Sequence, residues 1–199
     1  MKRNSPRSTA ERPSAGPRPG TVVVLGLDPG TLVTGYGIVE RCGVRMTMVV
    51  CGTIRNDGAR SMPLRLRRIF NELTTLIDAH HPDEFAIESA FYGKNAQSAL
   101  KLGHARGVSM LAAVERDIPT TEYSPREVKK AVVGSGTASK EQVRFMVKSL
   151  LGINGRQMKL DASDALAIAI CHLHRMSTPT ARHRDWKSYV EAHPERVAP

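Results

Sequence analysis

Four carboxylates stand where a phosphodiester-cleaving centre would need them. Asp28 closes the apolar run VVVLGLDPG (22–30), and Glu88 closes the short apolar run in DEFAIES (83–89). Asp161 and Asp164 lie three residues apart in LDASDALAIAICHLHR, so a helix puts them on one face. Ala165, Ile168 and Ala169 continue that face. A carboxylate beside an apolar stripe is costly unless it is paired or binds a cation. Oxygen donors without a His/Cys cluster select a hard cation, Mg²⁺ or Mn²⁺. A two-ion site suits in-line attack on a phosphodiester, one ion activating water and the other stabilising the leaving 3′ oxygen. Each signal also has a plainer reading. Asp before Pro-Gly is a common turn former, and Asp in a first helical turn stabilises the helix by about 0.3–1 kcal/mol.

The basic residues fit an anionic substrate. Lys140 opens a helix just after Gly134-Ser135-Gly136-Thr137, so backbone N–H groups and a cation converge where a phosphate could sit. GSGTASK lacks the G-K-[ST] ending of a Walker A loop. Lys94, Lys101, Arg106, Arg126, Lys129 and Lys130 extend a possible duplex-tracking surface, although each alone could be a solvated charge. Phe91 follows Glu88 by three residues and is either core or a group beside the site. His172 and His174 are two apart on a helix and cannot chelate one ion together. His104 is assigned no chemistry.

The elements that carry these groups read as an α/β chain. The run 22–30 reads as a buried strand, and 34–43 and 45–55 as a β meander after it. In 61–82, Leu66, Ile69, Phe70, Leu73, Leu76 and Ile77 share a helical face, and Pro82 ends it. A strand at 83–89, a helix at 95–117 and a strand at 120–124 follow. Ser124-Pro125-Arg126-Glu127 and Ser139-Lys140-Glu141-Gln142 read as capping boxes. The last helix runs from about 161 to 175. This order predicts a mixed five-stranded sheet flanked by helices, with the strand near 86 parallel to the first. Asp28 and Glu88 would then leave the sheet at one carboxyl edge, where open α/β sheets place their sites.

The 199-residue chain carries 29 Lys and Arg against 19 Asp and Glu, a net charge of +10, which favours a polyanionic partner. Residues 1–20 hold five basic residues, four prolines and one acid, and read as a disordered basic arm rather than a secretory signal. Residues 21–175 form the expected folded domain, and 176–199 a polar, flexible tail. Three scattered cysteines, Cys42, Cys51 and Cys171, point to a reducing compartment without disulfides or zinc. No apolar run is long enough for a bilayer, and a cytoplasmic location is expected.

Four blocks carry a family resemblance: VLGLDPGTLVTGYGIV, FAIESAFYGKNAQSALKLGHARG, KKAVVGSGTASKEQV and LDASDALAIAICH. In order and spacing they resemble the RuvC family of bacterial Holliday-junction resolvases, over residues 22–174. The resemblance implies an RNase H-like fold and a homodimer that makes paired symmetric nicks in four-way junction DNA during recombination and repair. It matches Asp28, Glu88, Asp161 and Asp164 to the family's catalytic carboxylates, which hold two Mg²⁺ ions, Mn²⁺ substituting. Lys129 and Lys140 match basic residues beside the cleavage site, and Phe91 an aromatic that stacks on a base at the junction centre. A branch-migration complex, RuvA with RuvB, is the implied partner. The competing expectations are a related RNase H-like nuclease with another substrate, a non-catalytic nucleic-acid-binding module, and a sugar kinase or actin-like ATPase. The last needs two such lobes, and the chain has one D-P-G-T block and no repeat.

Overall fold

The computed structural model describes residues 20–89, 96–153 and 158–177. Residues 1–19 of the expected arm, Phe91, Tyr92, Lys94 and residues 178–199 lie outside the described residues.

The chain opens with three consecutive strands, β1 (Thr21–Asp28), β2 (Val33–Cys42) and β3 (Arg45–Arg55), joined as an antiparallel meander. Helix α1 (Met62–His80) then leads to β4 (Glu84–Glu88), and α2 (Ala96–Val114) to β5 (Thr120–Tyr123). Helices α3 (Pro125–Val133), α4 (Lys140–Leu150) and α5 (Leu160–Ser177) follow. The sheet order is β3-β2-β1-β4-β5, with β4 parallel to both β1 and β5. The mixed five-stranded sheet and the parallel return of the strand near 86 are as the sequence predicts. Met176 and Ser177, assigned to the tail, are instead the last residues of α5.

Strand alternation divides the core into two layers. Leu25, Leu27, Ile38, Phe85 and Ile87 pack on α1 and α2, whose Ile69, Leu73, Ile77, Ala105 and Ala112 are buried. Val24, Val39 and Ala86 face the other way, into a layer built by α3, α4 and α5. Each large aliphatic side chain taken from water contributes about 1.5–3 kcal/mol. Helix α5 differs from the one-sided stripe read from sequence. Ala165 to Leu173 are buried without interruption, because α5 lies between the sheet and the α3–α4 pair. A helix covered on all sides is apolar all round, so its polar residues stand at its ends, at the edges of the sheet.

Both predicted capping boxes form. Ser124 accepts from the Glu127 amide and Ser139 from the Gln142 amide, with the reciprocal side-chain bonds present. Such caps contribute about 0.5–2 kcal/mol each. They fix where α3 and α4 begin, and hence where Lys129 and Lys140 stand.

Candidate active site

Asp28 and Glu88 end neighbouring parallel strands. The β1–β4 register runs from Val24 opposite Glu84 to Leu27 opposite Ile87, so the two acids are the next pair along. By alternation both project towards α5 at the carboxyl edge of the sheet. The turn after Asp28 is braced by Thr34, whose buried hydroxyl donates to Gly30 O at 2.6 Å. Sequence reasoning missed Thr34; its signal was a threonine four residues past the glycine of D-P-G.

Glycines in the meander let α5 reach these acids. A Cβ on Gly35 would lie 2.1 Å from the Asp161 carbonyl oxygen, and one on Gly26 would lie 2.2 Å from that of Ala165. Gly35 pairs with Asp28 in the β1–β2 register. The backbone of α5 therefore rests directly on the strands, and its first turn arrives beside Asp28.

The electrostatics follow from this crowding. Asp28 is pushed up to about 8, first by burial, then by the charges of Glu88 and Asp164 and a hydrogen bond with Glu88, while Lys140 opposes the shift. Burial also raises Glu88; its hydrogen bond with Asp28 and the charges of Lys140 and Lys129 pull the other way. Burial and mutual repulsion thus favour a proton shared between these two carboxyls near neutral pH. Lys140 Nζ donates to Asp164 Oδ2 at 2.9 Å, which holds the ammonium above its usual pKa.

The structure thus brings together Asp28, Glu88, Asp164, Lys140 and, at longer range, Lys129. Asp161 is not among the leading charges on the pair. It stands half-buried at the start of α5, its main chain against Gly35. As the side chains stand, no three His, Cys, Asp or Glu among the described residues form a group that could hold a metal ion. Asp28 is satisfied by Glu88, and Asp164 by Lys140. The donor chemistry still fits a hard divalent cation. Two half-buried acids that share a proton, beside a third paired with a lysine, are a set whose charge a cation would balance.

Of the other basic residues, Lys101, Arg126 and Lys130 are exposed, whereas Arg106 pairs with Glu122 and is half-buried. His172 is buried, its Nδ1 2.9 Å from the Tyr123 hydroxyl, and burial lowers its pKa. His174 Nδ1 lies 3.0 Å from Ala131 O. Both histidines bind structural partners away from the acids.

Comparison with known proteins gives a consistent picture. The family model described as "Crossover junction endodeoxyribonuclease RuvC" matches residues 24–172. A protein of that name from Salinibacter ruber is 46% identical over 178 residues, covering 89% of this chain and 99% of its own. One from Pelobacter propionicus is 49% identical over 83% of this chain and 98% of its own. Among solved structures, Thermus thermophilus RuvC in complex with Holliday junction substrate superposes with a TM-score of 0.74. It shares 30% identity and covers 78% of this chain and 94% of its own. The yeast mitochondrial Holliday junction resolvase, at 14% identity and a TM-score of 0.54, shares the fold alone. The five-stranded arrangement is the RNase H-like fold.

Proposed function

The chain belongs to the RuvC family of crossover junction endodeoxyribonucleases, and from that premise we propose that it resolves Holliday junctions by paired symmetric nicks. The observation that carries the site assignment is the burial of Asp28 against Glu88, with Asp164 and Lys140 alongside. In this reading Asp28, Glu88, Asp161 and Asp164 are the catalytic carboxylates and would hold two Mg²⁺ ions, or Mn²⁺. The ions supply water activation and charge neutralisation at the leaving oxygen.

The chain's own residues prepare the site for DNA. A bare cluster of acids repels a phosphodiester; Lys140 offsets that charge from 2.9 Å and holds the Asp164 carboxylate in place. Lys129 acts on Glu88 from α3. Phe91, outside the described residues, is the candidate for stacking on a base opened at the crossover, a contact worth about 1–3 kcal/mol. Phe91→Ala is expected to slow junction cleavage far more than it weakens binding to plain duplex. The protein would work as a homodimer in the cytoplasm, alongside the RuvA–RuvB complex that the resemblance implies. Among the described residues no helix is long and apolar enough to cross a membrane.

The test uses the full chain with a labelled mobile four-way junction, a duplex and an RNA–DNA hybrid. Paired nicks in the junction are expected with Mg²⁺ and none with EDTA. Asp28→Asn, Glu88→Gln, Asp161→Asn and Asp164→Asn are each expected to stop cleavage and spare junction binding. Cleavage in EDTA, or wild-type rates in two of these variants, overturns the assignment. Preferential cutting of the hybrid would point to the alternative RNase H-like substrate class.

A further inference from the structure

Three arginines, Arg60, Arg67 and Arg68, lie around the start of α1, on the sheet face opposite α5 and at the end of the sheet that carries Asp28; Arg55, at the end of β3, alternates with Ile54 and falls on the α5 face. Arg55 ends β3 opposite Val33, two residues past Thr53, which pairs with Gly35, the partner of Asp28. The loop that follows is tied to the turn after Asp28. The Asn56 amide donates to Leu32 O at 2.8 Å, and Asn56 Nδ2 donates to Thr31 O at 3.1 Å and Arg65 O at 3.2 Å. Arg65 is spent on this tether, its guanidinium donating to Arg60 O at 2.8 Å and to Gly58 O. Three guanidinium groups on this face remain exposed: Arg60, Arg67 and Arg68. A shallow groove at the start of α1 is lined by Arg60, Leu64, Arg67, Arg68, Asn71 and Glu72. Its one ion pair, Arg68 with Glu72 at 3.7 Å, has both side chains exposed and so contributes little.

We propose that Arg60, Arg67 and Arg68 form a second phosphate-binding surface, which holds the backbone of a junction arm after it leaves the cleavage site. The proposal rests on the resolvase reading above. The surface is separate from the lysines, which stand on α3 and α4 across the sheet. The Asn56 and Arg65 tethers join it rigidly to the turn that carries Asp28, so an arm held here is held relative to the scissile phosphate. Arginine suits that task, since its planar fork binds phosphate oxygens in pairs. A contact outside the crossover reads no sequence; it adds affinity and orientation.

The test compares two four-way junctions, one with long arms and one with arms trimmed close to the crossover. Wild type, Arg67→Ala/Arg68→Ala and, as a loss of charge at the far end of the sheet, Arg45→Ala are assayed as full chains for binding across a salt series and for cleavage. On long arms, removing two contacts should lower the slope of log K against log salt by about 1.8 and affinity near 0.1 M salt on the order of tenfold. On trimmed arms the double variant should match wild type, and Arg45→Ala should not distinguish the junctions. If wild type cuts both junctions and the double variant loses equally on both, or loses nothing, the arginine surface is rejected while the resolvase reading stands. If wild type cuts neither, that reading fails and takes this one with it.

Discussion

Asp28 is the residue at the centre of the proposed chemistry, and its environment makes a prediction that needs no substrate. Its pKa in the fold lies near 8 against an ordinary 3.8, so between those values the folded chain binds more protons than the unfolded one. By linkage, stability of the metal-free protein then falls as pH rises through that window. Glu88 is shifted in the same direction and adds to the effect. Thermal melting in EDTA is expected at a lower temperature at pH 8 than at pH 5.5, and Asp28→Asn should flatten that slope by removing the group. Because buried His172, with its lowered pKa, contributes in the opposite sense, the comparison with Asp28→Asn decides: a wild-type melting profile with the same pH slope as the variant would mean the carboxyls are not crowded as described. Metal affinity has the opposite sign: the ligands must lose their proton, so Mg²⁺ should bind more tightly and protect more as pH rises. Ca²⁺ should support junction binding with little cutting, because its looser coordination misplaces the attacking water. Single-turnover cleavage with each ion measures this.

At the scale of elements, the seat of α5 decides whether the aspartates arrive. Gly35→Ala would put a methyl group 2.1 Å from the Asp161 carbonyl oxygen, so the first turn of α5 must lift. Overpacking of this kind costs about 1–3 kcal/mol, whereas misplacing catalytic groups by about 1 Å costs on the order of 100-fold in rate. Cleavage well below the melting temperature should therefore fall much further than the folded fraction does. A rate that merely tracks the folded fraction would show that α5 keeps its place by other contacts. This seat was not readable from the sequence. The glycines of T-G-Y-G mean only a weak strand locally, and their reason lies in a helix more than 120 residues later. The strands bearing Asp28 and Glu88 were readable, because a continuous apolar run that stops at a turn or a polar residue is a local signal. So were the starts of α3 and α4, since a capping box is complete within four residues. The burial of α5 on every side was read as a single stripe, because small alanines hide how many faces are covered. The Lys140–Asp164 pair joins residues 24 apart, and nothing local to either announces it.

For the molecule as a whole, paired nicks in opposing strands require two active sites held in fixed relation, and one chain provides one. The exposed face of helix α2 is the surface we propose for a second copy. Ala105, Ser109, Ala112 and Ala113 face the core, but Leu100, Leu111 and Val114 are 62%, 50% and 58% exposed. Leu100 and Leu111 lie eleven residues apart, three helical turns, and so share a face. Between them Gly103 and Gly107 look onto open space, where a neighbouring helix could approach closely. Leu111→Glu adds a charge at a position half-open to water in the single chain, so the fold should be retained. In a dimer seam the same charge would be buried without a partner, at a cost of several kcal/mol. Sedimentation at micromolar concentration should therefore give a dimer for the wild type and a monomer for Leu111→Glu, with melting little changed. On a junction held in a supercoiled plasmid, the wild type should linearise the circle by two coordinated cuts, while the variant should leave nicked circles. If Leu111→Glu stays dimeric and still linearises, the pairing surface lies elsewhere on the molecule. If the wild type is monomeric even on the junction, symmetric cutting must come from two chains that meet only through the DNA.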